Sequence, residues 1–150
     1  MNYWEKIVAL FRGEDKKPPI PGMDDKTSLI LLLIKMAQID GHLNHFEQMN
    51  IHMLSNTLGV DVRDVNKWRD QLENVVLVLP QTKIERVDYF WRFINMMNMD
   101  LNAHPKEQAM CRSLGDALGF NKQQVEVAMV FALDRKNGMV KFNDLERILV

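Results

Sequence analysis

Two segments place carboxylates at the same spacing. Asp40-Gly-His-Leu-Asn-His-Phe-Glu47 and Asp100-Leu-Asn-Ala-His-Pro-Lys-Glu107 both read Asp-x6-Glu. Four carboxylates placed by symmetry could ligate a hard divalent cation such as calcium or magnesium, which prefers oxygen donors. His45 and His104 lie near the motif glutamates and would widen the choice to zinc, which accepts imidazole. The candidate metal ligands are therefore Asp40, Glu47, Asp100 and Glu107, with His45 and His104 beside them. The same groups offer a second chemistry. A metal-dependent hydrolase would gather paired carboxylates and histidines around an open cavity. Against both stands a purely architectural reading, which is the favoured one. Asn44-His-Phe-Glu47 can form a capping box, and His104-Pro-Lys-Glu107 puts Pro105 at a first helical position, where its missing N–H costs nothing. Each motif would then fasten a helix-turn-helix junction.

Other reactive residue types are sparse. Asp40-Gly41-x-Leu43-x3-Glu47 matches the second half of an EF-hand loop, but Met36 and Gln38 stand where the first half needs oxygen ligands. Asn137-Gly-Met-Val140-Lys-Phe142 echoes the same loop, with Leu133 and Arg135 at its first two ligand positions. Neither should bind calcium in that manner. His45 and His52 are seven apart and can share a helix face, yet no zinc-protease spacing accompanies them, so surface histidines are expected. Cys111 is the single thiol and falls on an apolar stripe, as a small buried hydrophobe would. A methionine cluster offers soft-metal or adaptable binding chemistry. Met36, Met96 and Met97 nevertheless fall in helices expected to be buried, and Trp68 and Trp91 are assigned to the core. No Gly-rich phosphate loop, nucleophile elbow or triad is present.

The elements that must position these groups are unusually legible. Comparing 34–65 with 94–125 at an offset of 60 gives nine identities in 32 positions, among them Asp40/Asp100, Glu47/Glu107, Leu54/Leu114, Leu58/Leu118, Gly59/Gly119 and Val65/Val125. Ordinary residue usage predicts about two. An internal repeat of one helical unit follows, with copies over about 26–73 and 82–133. Glu47, Ile51, Leu54 and Leu58 step by four, three and four, and Glu107, Cys111, Leu114 and Leu118 repeat the step. Thr82-Lys-Ile-Glu85 reads as a capping box, Asn121-Lys-Gln-Gln124 and Asn143-Asp-Leu-Glu146 as Asn-capped starts, and Asp61 as a weaker cap at the position equivalent to Asn121. Gly59 and Gly119 read as C-terminal caps. The helix over 29–39 is apolar nearly all round and should be central. The helix over 82–99 shows Ile84, Val87, Trp91 and Ile94 on one stripe. Val75-Val-Leu-Val-Leu79 has no second strand to pair with and reads as a helix end or buried connector.

Composition agrees with this. The chain has 150 residues, 47% hydrophobic, with 7 glycines, 5 prolines and one cysteine. An all-α fold of seven to eight helices is expected, with duplicated helix-turn-helix units around one core. Disulfides and a four-cysteine zinc framework are excluded. A formal charge of −1 gives no reason to expect nucleic-acid binding. No apolar run approaches the roughly 20 residues of a bilayer span. The start, Met1 to Arg12, is not a secretory signal, so a cytoplasmic location is expected. Residues 1–12 form an amphipathic helix with Trp4, Ile7, Val8 and Phe11 at helical spacing. Packing on the domain is favoured over peripheral membrane contact. Residues 13–25, with three prolines and two glycines, form a linker.

Met36-Ala37-x-x-Asp40-Gly41-x-Leu43-x-x-x-Glu47, a later Leu58-Gly59 and the second Asp-x6-Glu together resemble the TerB-like tellurite-resistance family. Trp4-Glu5-Lys6-Ile7 followed by a linker is similar to that family's opening. The resemblance covers chiefly 26–130. It implies an all-helical domain with an internal duplication, found in bacterial tellurite and stress-response systems and, in related form, in a membrane-anchored DnaJ-type co-chaperone. It implies a non-enzymatic scaffold or metal-sensing module with a protein partner near the membrane. By the same resemblance Asp40, Glu47, Asp100 and Glu107 would form an acidic metal site. The second copy departs from the pattern at Leu101, where the first has Gly41.

Overall fold

The computed structural model describes residues 24–37, 45–69, 78–98 and 105–150. It is all-helical. Seven α-helices follow one another among the described residues, with no strand: α1 (Asp25–Ala37), α2 (His45–Leu58), α3 (Val62–Arg69), α4 (Lys83–Met97), α5 (Pro105–Ala117), α6 (Lys122–Leu133) and α7 (Phe142–Leu149). A 3-10 turn, Arg135–Asn137, stands between α6 and α7. The chain divides into two compact units, Met1–Leu79 and Pro80–Val150. That boundary falls between the two repeats read from the sequence. The N-terminal amphipathic helix (1–12) and nearly all of the linker lie outside the described residues, as do Met99, the Trp68 side chain and 75–77 of the apolar run. Residues 78–80 have no regular structure.

In the first unit, α2 and α3 pack on α1. The apolar run over 29–34 is buried at every position, as is Met36. Each such Leu or Ile contributes about 1.5–3 kcal/mol by leaving water. The start of α1 is fixed by Asp24, whose Oδ1 accepts the Thr27 N–H at 2.7 Å. Ser28, fully buried among apolar neighbours, is satisfied twice. Its hydroxyl donates to the Asp24 carbonyl at 2.8 Å and accepts the Val78 N–H at 2.9 Å, tying the end of this unit to the start of α1.

In the second unit, α4 packs on α5 and α7, and α6 packs on α5 and α7. Tyr89, Val87, Phe90, Phe93, Ile94, Met96 and Met97 make the inner face of α4. Of the stripe expected from the sequence, Val87 and Ile94 are fully buried, and Ile84 and Trp91 lie at the edge of this face. Ile84 is 58% exposed, and Trp91 is only half-buried. The burial centre passes through Phe90, Phe93 and Met97, roughly 125–150° round the helix from Ile84 and Trp91. Trp91 is held at the margin by its indole N–H, which donates to the Val140 carbonyl at 2.8 Å, and by an edge-on contact with Phe142 at 6.1 Å. Inside, Phe90 meets Phe120 at 5.8 Å.

The helix caps mostly follow the sequence. Thr82 Oγ1 accepts the Glu85 N–H at 3.2 Å, but the Glu85 carboxylate takes the Thr82 hydroxyl at 2.7 Å in place of a backbone N–H. Asn121 Oδ1 and Asp61 Oδ1 accept the N–H two residues on, at 2.7 and 2.8 Å. Asn143 is not a cap. It lies inside α7, whose N-cap residue is Lys141, with the Lys141 N–H donating to Asp144 Oδ2 at 3.2 Å. Phe142, packed edge-on to Trp91, draws the helix start two residues earlier.

Candidate functional site

Three of the six candidate ligands, His45, Glu47 and Glu107, lie among the described residues; Asp40, Asp100 and His104 lie outside them. His45 is exposed at the first position of α2. Glu47 and Glu107 are the third residues of α2 and α5, and Pro105 opens α5 as its fixed φ favours. Both glutamates are buried, 3% and 4% exposed. No buried side-chain nitrogen or oxygen among the described residues lacks a hydrogen-bond partner. A buried carboxylate is tolerated only when so matched. Glu47 belongs to the first unit and Glu107 to the second. Among the described residues no three His, Cys, Asp or Glu side chains gather as a metal would require.

One turn beyond Glu107, Cys111 is fully buried, and its thiol contacts the Phe93 carbonyl at 3.7 Å. Burial, and next the Glu107 carboxylate, push the thiol far above its ordinary value. The thiolate that nucleophilic chemistry needs is thereby suppressed.

The end of each helix hairpin follows one plan at positions 60 apart. Gly59 (φ 71°) and Gly119 (φ 87°) adopt the left-handed conformation. The next residue's N–H returns to the preceding turn, Val60 to the Ser55 carbonyl at 2.9 Å and Phe120 to the Gly115 carbonyl at 3.1 Å. Asp61 and Asn121 then open the following helix. In the second unit Arg86 adds a clamp: its guanidinium donates to the Pro80 carbonyl at 2.9 Å and to the Leu118 carbonyl at 3.2 Å.

Sequence reasoning missed the grooves beside these hairpins. Between α5 and α6 a cleft of about 290 Å³ is lined by Arg112, Ser113, Asp116, Lys122, Val125 and Glu126. Arg112 grips Glu126 through two hydrogen bonds, 3.0 and 3.2 Å. The pairing lowers the Glu126 carboxyl and raises the Arg112 guanidinium from their ordinary values. Between α2 and α3 a smaller cleft of about 170 Å³ includes His52, Ser55, Val65, Asn66 and Arg69. The available signal was the opposite charge of Arg112 and Glu126, fourteen residues apart across a helix hairpin. No described helix is long and apolar enough to cross a membrane. Comparison of the chain with protein-family models, with curated proteins and with solved structures finds no match in any of the three.

Proposed function

We propose that this chain is a non-enzymatic helical module, TerB-like in kind, that serves a bacterial tellurite or stress response as a scaffold for a partner protein. In this reading it works in the cytoplasm, and residues 1–12 pack on the domain, with peripheral membrane contact as the alternative. Asp40, Glu47, Asp100 and Glu107 are its divalent-metal ligands, if it senses a metal. One observation carries the reading: Glu47 and Glu107 enter as third residues of their helices, buried and matched, one in each unit. Carboxylates used this way fasten helices, whereas a hydrolase needs them open to a substrate cavity. The outward face of α6 supports a protein partner. Val127 and Val130, three apart, are both exposed. Valine on a water-facing helix surface gains no burial and lowers helix propensity, so a covering partner would account for it.

The test has two arms. Affinity capture from the native cell with the whole chain should retain a partner that Val127→Glu/Val130→Glu loses; equal capture by both overturns the assignment of the surface. Isothermal titration with calcium, magnesium and zinc should give stoichiometric heat that Asp40→Asn/Asp100→Asn abolishes. Absence of heat removes the metal from the proposal. Metal-dependent hydrolytic turnover would replace the scaffold with an enzyme.

A further inference from the structure

We propose that the water-facing side of α2 carries a binding site for a soft monovalent cation, Cu(I) or Ag(I), formed by the thioethers of Met49 and Met53 and the imidazole of His52. The site is separate from the acidic motifs and does not depend on them. Met49 and Met53 are 49% and 65% exposed, and His52 is exposed beside them. At about 100° per residue, these three point away from the buried side of α2, which is made by Glu47, Ile51, Leu54 and Ser55. They are related as i, i+3 and i+4, the spacing at which side chains on a helix are neighbours, about 5–6 Å apart at Cβ. Methionine's flexible arm lets two sulfurs converge on one ion from that separation.

The donor set selects the ion. Thioether sulfur is a soft, uncharged ligand that suits Cu(I) and holds hard cations poorly, and imidazole is accepted by the same metals. The flanking positions on this face, His45, Gln48 and Asn56, carry no carboxylate, so none is supplied for calcium or magnesium. Helix architecture does not require the triad. Sixty positions on, where α5 repeats the buried stripe, the corresponding residues are Ala109, Arg112 and Ser113, and none is a soft donor.

The experiment titrates the full chain, with its methionine methyls carbon-labelled, with silver nitrate as a redox-inert probe. One equivalent should shift the Met49 and Met53 methyl resonances and leave Met139, at 80% the most exposed methionine among the described residues, in place. Met49→Leu/Met53→Leu should weaken binding at least about tenfold, with His52→Ala intermediate. Both sets of changes lie on an exposed surface, so unchanged circular dichroism is expected to accompany them. Three results would overturn the site: Met139 shifting in step with the other two, affinity unchanged in the double variant, or binding that consumes only the Cys111 thiol.

Discussion

Gly115 sits inside α5, fully enclosed, where a helix would ordinarily favour alanine by about 1 kcal/mol. Its reason for being glycine is the approach of α6. A Cβ placed on it would lie 2.8 and 3.1 Å from the two Val125 methyls and 3.3 Å from the Phe90 ring. The first distance is below any real contact. Val125 cannot swing away cheaply, because a β-branched side chain on a helix has one strongly preferred rotamer. Phe90 is itself packed against Phe120. Overpacking of this kind costs about 1–3 kcal/mol. Set against the propensity gain, Gly115→Ala should destabilise the second unit by about 1 kcal/mol. Urea unfolding followed by circular dichroism would register this as a lower midpoint at constant slope. A double-mutant cycle isolates the cause: in a Val125→Ala background the methyls are gone, and Gly115→Ala should become neutral or stabilising. If Gly115→Ala raises stability on its own, or its cost persists undiminished in the Val125→Ala background, the account of this interface is wrong.

Gly59→Ala and Gly119→Ala place a side chain at φ 71° and 87°, and each should cost about 1 kcal/mol in thermal or urea unfolding. Gly119 should cost more, since its Cβ also meets Arg86 at 3.3 Å, while Gly59 faces open space. The Arg112–Glu126 pair gives a pH signature. Its hydrogen bonds lower the Glu126 carboxyl in the folded chain, so its contribution is present above the unfolded carboxyl value and is lost as pH falls through the folded one. Stability measured from pH 6 to pH 3 should therefore fall less in Glu126→Gln than in the parent, and 1 M salt should narrow the difference. Cys111 should react with a disulfide reagent only as fast as the chain opens, and rapid labelling of the folded protein would contradict its burial. Trp91→Phe keeps the ring contact with Phe142 and orphans the Val140 carbonyl, for a loss of about 1 kcal/mol in urea unfolding.

Local signals in the sequence carry far because local physics decides them. A glycine after an apolar stripe can end a helix in the left-handed conformation, and Gly59 and Gly119 do so. Asp61 and Asn121 cap because a short side-chain acceptor meets N–H groups that have no helical partner. Cys111, Met36, Met96 and Met97 are buried as their positions on apolar faces require. Sequence and structure part where tertiary contact competes with local preference. Half of the α4 stripe, Val87 and Ile94, is buried as expected, but Ile84 and Trp91 fall to the edge, because they are as apolar as Phe90 and Phe93 and only the neighbouring helices choose between them. Asn143 loses its cap role to an earlier start set by Phe142 against Trp91. Of the candidate metal site, the two glutamates are buried at the third positions of their helices, and the two aspartates lie outside the described residues.

The positions that agree at an offset of 60 are not a random sample of the chain. Glu47/Glu107, Leu54/Leu114 and Val65/Val125 are buried in both units, and Gly59/Gly119 shape the backbone. Several of the positions that differ lie on the water side or in the grooves: Met49 and Ala109, Met53 and Ser113, His52 and Arg112, Asn66 and Glu126. Some of the differences are buried, Ile51 with Cys111 and Ser55 with Gly115 among them, and the latter pair has a steric reading. Ser55 stands where Gly115 does, and its Cβ and hydroxyl are accommodated, with Oγ donating to the Ile51 carbonyl at 2.8 Å. In the second unit the same place is closed by Val125. At these positions the two hairpins share packing and capping, and their outer surfaces differ in chemistry. A soft-donor face on α2 and a forked ion pair between α5 and α6 are two of those differences, so what distinguishes the units functionally should map to these residues and leave the shared carboxylates untouched.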